Sequence, residues 1–449
     1  MYQINKTQGG FNMETKKKVP TLNKVAYGIG TGGGCIFNQI AAAFLLNYYT
    51  DTVLIGAGAI ATMFLVCRIF DGITDLVMGG IVDKTSSKLG KARPWLIASA
   101  PLTLLGIVLL MNVPSGLGDT GKLAYAYITY IFMNCIVYTI YGISNTAMLP
   151  LMTHDKNDST VLATFSALGN NIIGLLAGSL ITPLVINFGW KTSSVILGGA
   201  ACVLILISGL LNKEMENVEE GRQRASVPMS KQLPATLKNR YFWLLLLLGA
   251  FSLIMNSNAI GAQIFYCNMV LQNPMFMSVL MTAGQLPGIF ILFLMPAVSK
   301  KWNKKTFLLM GAILIIAGFA ITGLAGENTT MIVVGTVIRS LGVGPILSAV
   351  FALIPDVVEY GNWKFGIRSE GLISSAQSIG SKIGIGVGSA LTGWILAAVG
   401  YNPVAEPTQA VINAVKFDYT WMGAILGIII LIIVLLLDVE KYADQYNND

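Results

Sequence analysis

Three ionisable side chains stand deep within one apolar stretch: MFLVCRIFDGITDLVMGGIVD carries Arg68, Asp71 and Asp75 before it ends on Asp83. Spacings of three and four place all three on one face of a helix. A charge in hydrocarbon costs roughly 2.5–3.5 kcal/mol on insertion scales, and such charges mark ion or solute paths. Two carboxylates about 6 Å apart in a low dielectric repel by several kcal/mol. Either one holds a proton or a cation sits between them, and both outcomes bind a cation. Lys382, near the middle of a second, glycine-rich apolar stretch, is the counter-charge on offer; it shares a helical face with Ser374 and Ser378. The competing account is a permanent ion-pair network that only staples helices, and for Arg68 that means pairing with Asp71.

The elements that position these groups are membrane helices. Of the 449 residues, 54% are hydrophobic and 11% charged, against roughly 25% charged in a soluble domain. Mean hydropathy is +0.68. Soluble multi-domain enzymes, disordered chains and secreted disulfide scaffolds are excluded together. At ~20 apolar residues per span, apolar runs give twelve spans, near 25–50, 54–82, 95–113, 122–150, 160–188, 192–211, 241–271, 276–299, 306–326, 330–356, 369–400 and 410–438. The polar stretch 212–240 divides an all-α membrane protein into two six-helix bundles, 25–211 and 241–438, with tails 1–24 and 439–449.

Charge gives the orientation. The tails and even-to-odd loops hold 23 of the 29 Lys and Arg; the opposite loops hold only Lys122, Lys191 and Lys416, and Arg68, Arg339 and Lys382 lie within spans. By the positive-inside rule both ends are expected in the cytoplasm. The net charge of +7 is then topology, and no nucleic-acid partner is expected. The polar, lysine-rich residues 1–24 do not read as a signal peptide. The halves also resemble each other: LGNNIIGLLAGSL at 168–180 aligns with IGSKIGIGVGSAL at 379–391, and DKTSSKLGKARP at 83–94 is matched by SKKWNKKTF at 299–307. A six-plus-six arrangement with matched loops is what parallel-repeat transporters show.

Other groups say less. Asp356, Glu359, Lys364, Arg368 and Glu370 cluster where spans ten and eleven meet, either as a gate of opposed charges or as a solvated loop. Arg339 has no partner visible in sequence, and the sole histidine, His154, reads as a solvated loop residue. Cys35, Cys67, Cys135, Cys202 and Cys267 lie in apolar stretches without a C-x-x-C pair and read as small hydrophobes. There is no phosphate loop, HExxH, G-x-S-x-G or Cys/His metal spacing. The run GIGTGGG at 28–34 lies inside a span and suits helix packing better than a dinucleotide. An enzyme is not expected, nor any cofactor beyond a coupling ion.

RIFDGITDLVMGGIVD followed by SKLGKARPW resembles the signature of the glycoside–pentoside–hexuronide:cation symporters, the melibiose-permease-like branch of the major facilitator superfamily. YG at 27–28, YYTD at 48–51 and DVVEYGNWKFGIRSEG at 356–371 extend the likeness over essentially the whole chain. The resemblance implies a major facilitator fold with a pseudo-two-fold repeat. It further implies a sodium or proton site at Asp71 and Asp75, with Thr74 and Thr139 as added ligands and Lys382 coupling the site to solute. The family's acidic and arginine sugar-binders fall here on Cys35, Gly142 and Ser166, and its stacking aromatic on Thr146, so the ionic partners of a sugar are replaced. Asn38, Arg68 and Ser378 complete the expected solute site. The resulting expectation is an inner-membrane, cation-coupled symporter of a sugar or glycoside working by alternating access. A carrier of a non-sugar, lipid-like or other small solute and a non-transporting scaffold or receptor are the rivals.

Overall fold

A computed structural model describes residues 18–153, 155–215, 229–298, 303–367 and 369–442. His154, Arg222, Arg224, Lys300, Lys301 and Arg368 lie outside the described residues. Twelve long helical segments follow in order. The first six are α1 (Thr21–Thr52), α2 (Ala57–Lys84), α3 (Arg93–Leu110), α4 (Asp119–Met152), α5 (156–188) and α6 (190–211). The last six are α7 (Arg240–Val270), α8 (Phe276–Val298), α9 (Lys304–Leu324), α10 (Thr329–Ala352), α11 (Glu370–Ala398) and α12 (Gln409–Leu436). α5 and α6 are one continuous helical run turned at Gly189, whose φ of 72° needs glycine. The expected tenth span divides: α10 stops at Ala352 and a separate helix, Ile354–Phe365, begins beside Pro355.

Among the described residues nine helices, counting Asn157–Leu211 as one, are long and apolar enough to cross a membrane. α2 and α8 complete the twelve. α2 turns Ile69, Phe70, Ile73, Leu76 and Val77 outward, exposed, a face that only hydrocarbon would cover. Its charged face turns inward.

The repeat is written in the backbone. After α1, Val53 and Ile55 donate their N–H groups to the carbonyls of Tyr48 and Tyr49, around Leu54 at φ 67°. After α7, Leu271 and Asn273 donate to Tyr266 and Cys267, around Gln272 at φ 50°. Each residue of the first set has the same separation from its counterpart. The matched loops are tied the same way at their basic ends. Glu214, beyond α6, accepts the N–H groups of Lys91, Ala92 and Arg93 at 2.7–2.8 Å, where α3 starts. Glu440, beyond α12, accepts those of Lys304 and Lys305 at 3.0 and 3.1 Å, where α9 starts. Both carboxylates meet orphan donors at a positive helix end. Gly90 of the SKLGKARP motif has φ 111°, and a Cβ there would lie 2.4 Å from the Glu214 carboxyl carbon.

Small residues set the crossings inside each half. A Cβ on Gly169 of α5 would lie 1.9 Å from the Gly28 carbonyl oxygen of α1. In the second half, Gly384 and Gly388 of α11 approach the carbonyls of Ala250 and Ile254 on α7 in the same manner. The halves meet from the midplane to the end away from the basic loops. Ser179 meets Thr282 at 2.8 Å, Tyr401 donates to Asp51 at 2.9 Å, and Gln39 donates to Gln285 at 3.2 Å.

Candidate functional site

α2 of the first half packs against α11 of the second, and the predicted charges converge there. The Lys382 ammonium lies 2.5 Å from Asp75 Oδ2 and 3.3 Å from Asp71 Oδ2, and donates to the Asp71 carbonyl at 3.0 Å. Arg68 Nη1 stands 3.8 Å from Asp71 Oδ2, one helical turn away. Gly386 of α11 makes room for it, since a Cβ there would come within 3.0 Å of the Arg68 side chain. Asp71 is only 5% exposed.

Hydroxyls complete the cluster. Thr139 donates to Asp71 Oδ1 at 3.2 Å, and Thr74 Oγ1 lies 3.3 Å from Thr139 Oγ1. Thr139 reaches this position just after a π-helical segment of α4, Ile131–Val137, whose wider turns re-aim the residues that follow. Two carboxylates and a carbonyl thus hold one ammonium, and the two hydroxyls stand behind the Asp71 carboxylate and carbonyl. Oxygen of this kind suits a hard monovalent ion as well as it suits Lys382. Two acidic and two basic side chains make the cluster neutral as it stands, so an added cation must compete with a resident charge.

A cavity of about 450 Å³ opens beside the cluster, lined by Asn38, Arg68, Asp71, Asp75, Thr139, Gly142, Thr146 and Lys382 among others. The structure brings together the five expected cation residues and four of the expected solute residues. Three expected solute residues lie elsewhere. Cys35 is buried at the α1–α5 crossing near Gly174. Ser166 Oγ is held 3.0 Å from Thr31 Oγ1. Ser378 is exposed farther along α11, because four residues of helix carry it one turn toward the basic end. Asp356, of the candidate gate, pairs with Lys304 of the same half at 2.6 Å. Glu359 sits on the helix after α10.

Sequence reading missed the α7 contribution. Asn256 and Ser257 line the cavity, with Ser389 of α11, Tyr130 and Tyr138. The Tyr138 hydroxyl accepts from Asn38 Nδ2 at 2.5 Å. The available signal was the polar run MNSN at 255–258 in an apolar span. Arg339, unassigned from sequence, is buried with its guanidinium 4.8 Å from the centre of the Phe319 ring and 5.5 Å from that of Tyr419.

A midplane ion-pair cluster bridging two repeated six-helix halves, with a solute-sized cavity beside it, defines a multi-pass membrane transporter. Residues 26–441 match the family model described as MFS/sugar transport protein. The chain belongs to that family. It is 28% identical to the isoprimeverose transporter of Lactiplantibacillus pentosus, over 91% of this chain and 86% of that one. It is also 28% identical to the glucuronide carrier protein homolog of Escherichia coli (strain K12), over 87% of each. The fold is similar to a crystal structure of the nucleoside transporter NupG, with a TM-score of 0.62 at 14% identity, over 92% of this chain and 99% of that chain.

Proposed function

We propose that this protein is a cation-coupled symporter of a sugar or glycoside, working by alternating access across the cell's inner membrane with both ends in the cytoplasm. The observation that carries the reading is the Lys382 ammonium held by Asp71 and Asp75 at the contact between halves. A sodium ion or proton arriving at the carboxylates displaces that ammonium toward the adjoining cavity. There it meets the solute, so cation and solute each strengthen the other's binding, as thermodynamic reciprocity requires. The bundles at 25–211 and 241–438 then rock about this midplane contact.

With the basic end cytoplasmic, the contacts at Asp51–Tyr401 and Ser179–Thr282 close the outer side. This is the inward-facing arm of the cycle. Sugar hydroxyls find neutral partners among the lining residues Asn38, Asn256, Ser257 and Ser389. Sodium is the preferred ion, because Thr74 and Thr139 supply oxygens that a proton does not need. The test is uptake of labelled glycosides into proteoliposomes under an imposed sodium or proton gradient. Solute accumulation driven by either gradient supports the reading, and ion flux indifferent to every solute in the panel refutes it.

A non-sugar solute is the second reading. It is favoured by the absence of carboxylate or guanidinium at Cys35, Gly142 and Ser166.

A further inference from the structure

At the end of the first half away from the basic loops lies a cavity of about 850 Å³ that the transport scheme leaves unused. The end of α1, the α3–α4 loop and the turn at Gly189 form it, and Tyr48, Lys122, Phe188, Trp190 and Lys191 stand in its wall. Of the three lysines on this side, Lys122, Lys191 and Lys416, two therefore meet in one cavity. None of its lining residues among those described is acidic. Asp119, three residues before Lys122, is exposed, and among the described residues the ion pairs include neither lysine. The Lys122 ammonium donates to the Val53 carbonyl at 3.1 Å, which uses one of its three donors.

Two like charges in one wall repel, and an anion held there removes that cost. Phosphate oxygens suit a pair of ammonium groups. The rest of the wall says which phosphate. The cavity sits at the ends of membrane spans, the level of lipid headgroups. Trp190 packs on Tyr48 with ring centres 5.0 Å apart, aromatic residues of the kind that mark that level. Phe188 lines the cavity and is exposed, as is Ile186 on the same helix end, an apolar rim that only hydrocarbon would cover. A free phosphate uses the lysines alone, whereas a phospholipid uses the lysines and the rim together. Basic pockets between membrane helices hold anionic headgroups in this way.

We propose that this cavity seats the headgroup of an anionic phospholipid from the outer leaflet, its phosphate held by Lys122 and Lys191. The seat is built on the segment that closes the outer side. Tyr48–Thr52 is a π-helical end of α1. It carries Asp51, which accepts from Tyr401 of the other half, and its Tyr48 hydroxyl accepts the Val113 N–H at 3.3 Å. A lipid drawn to Lys122 therefore braces the backbone at which the two halves meet. The site is separate from the cation cluster and the solute cavity, and it stands whatever the solute is.

The test uses the full chain, purified and reconstituted in nanodiscs in which phosphatidylglycerol replaces phosphatidylcholine in steps. Lipids retained on the protein are counted by native mass spectrometry, and thermal unfolding is read alongside. Phosphatidylglycerol is expected to be retained about tenfold more tightly than phosphatidylcholine, the scale that two lysines give at an anionic surface. Lys122→Gln combined with Lys191→Gln brings that ratio near parity, while Lys416→Gln, outside the cavity, leaves it unchanged. Lys191→Gln alone, at an exposed position, keeps the test decisive should the double variant not fold; it lowers the ratio by about threefold. A second arm offers inorganic phosphate and glycerol 3-phosphate to the protein in phosphatidylcholine. If these stabilise it as phosphatidylglycerol does, and through the same lysines, the occupant is a free anion and the lipid assignment is wrong. Equal retention of the two lipids, or a preference that survives loss of both lysines in a folded protein, overturns the site.

Discussion

Lys382→Gln tests the coupling device most directly. In the proposed scheme the coupling cation takes the place that the ammonium holds in the structure, 2.5 Å from Asp75 and 3.3 Å from Asp71. At an effective dielectric constant of about 20, a pair of unit charges some 4 Å apart is worth about 4 kcal/mol. Sodium must detach that ammonium before it binds. Part of the loss is returned, because the Lys382 side chain is already 20% exposed and moves toward an open cavity. A net penalty of about 1.5–3 kcal/mol then falls on sodium in the wild type, or roughly ten- to a hundredfold in affinity. Glutamine removes it. The half-saturating sodium concentration should drop by at least about tenfold, read as sodium-dependent thermal stabilisation of the purified protein at about pH 8. The solute should at the same time stop tightening sodium, because the displaced ammonium no longer carries the message. An unchanged or higher sodium requirement in a folded Lys382→Gln protein would make the lysine a structural staple and refute the displacement scheme.

Asp71→Asn and Asp75→Asn keep side-chain volume and remove charge, so each should abolish concentrative uptake, with Asp71→Asn the more severe because Asp71 is the more buried of the two; ordinary accumulation by both variants in vesicles counts against the cation site. Thr74→Ala removes one oxygen of the cluster and should raise the sodium requirement while sparing proton-driven uptake, measured at fixed pH with and without sodium. Gly169→Val places side-chain atoms against the Gly28 carbonyl, a backbone contact that cannot yield, and should cost about 1–3 kcal/mol or more. The control is Gly199→Ala, where no atom lies within 4 Å of the new Cβ, and where thermal unfolding should be unchanged or slightly raised.

What is legible in the sequence and what is not divide along a physical line. Charges inside apolar helices are legible because their cost is high and their periodicity is simple. Spacing and sign bring Asp71, Asp75 and Lys382 together, and the structure sets them within ion-pair distance. The repeat is only weakly visible in residue types, since glycine-rich helices look alike. It becomes plain through hydrogen bonds and φ angles after α1 and α7, which depend on backbone and leave little mark on residue type. The solute contacts are harder. Family positions put two of them at Cys35 and Ser166 and helical spacing from Lys382 put one at Ser378, but helix packing, not alignment or spacing, decides which side chains reach a cavity. Gly28 and Gly169 pack α1 against α5, and Cys35 and Ser166 lie within that crossing rather than at a free surface.

Neutral amides are the least legible of all, because in a membrane span Asn and Gln serve equally to hold helices together. Gln39 and Gln285 do that in this structure, joining α1 to α8 at 3.2 Å. Gln263 does not, since its Nε2 is left without a partner although it is buried. A polar group that costs energy to bury and makes no internal bond calls for a partner outside the chain, an ordered water or a ligand. Sequence can show that such a group exists. Only geometry shows that it is unpaired and that it lines, with Arg339, a cavity of about 460 Å³ at the α5–α8 contact. On that ground this cavity, not the replaced family positions, is the place to look for what this transporter recognises.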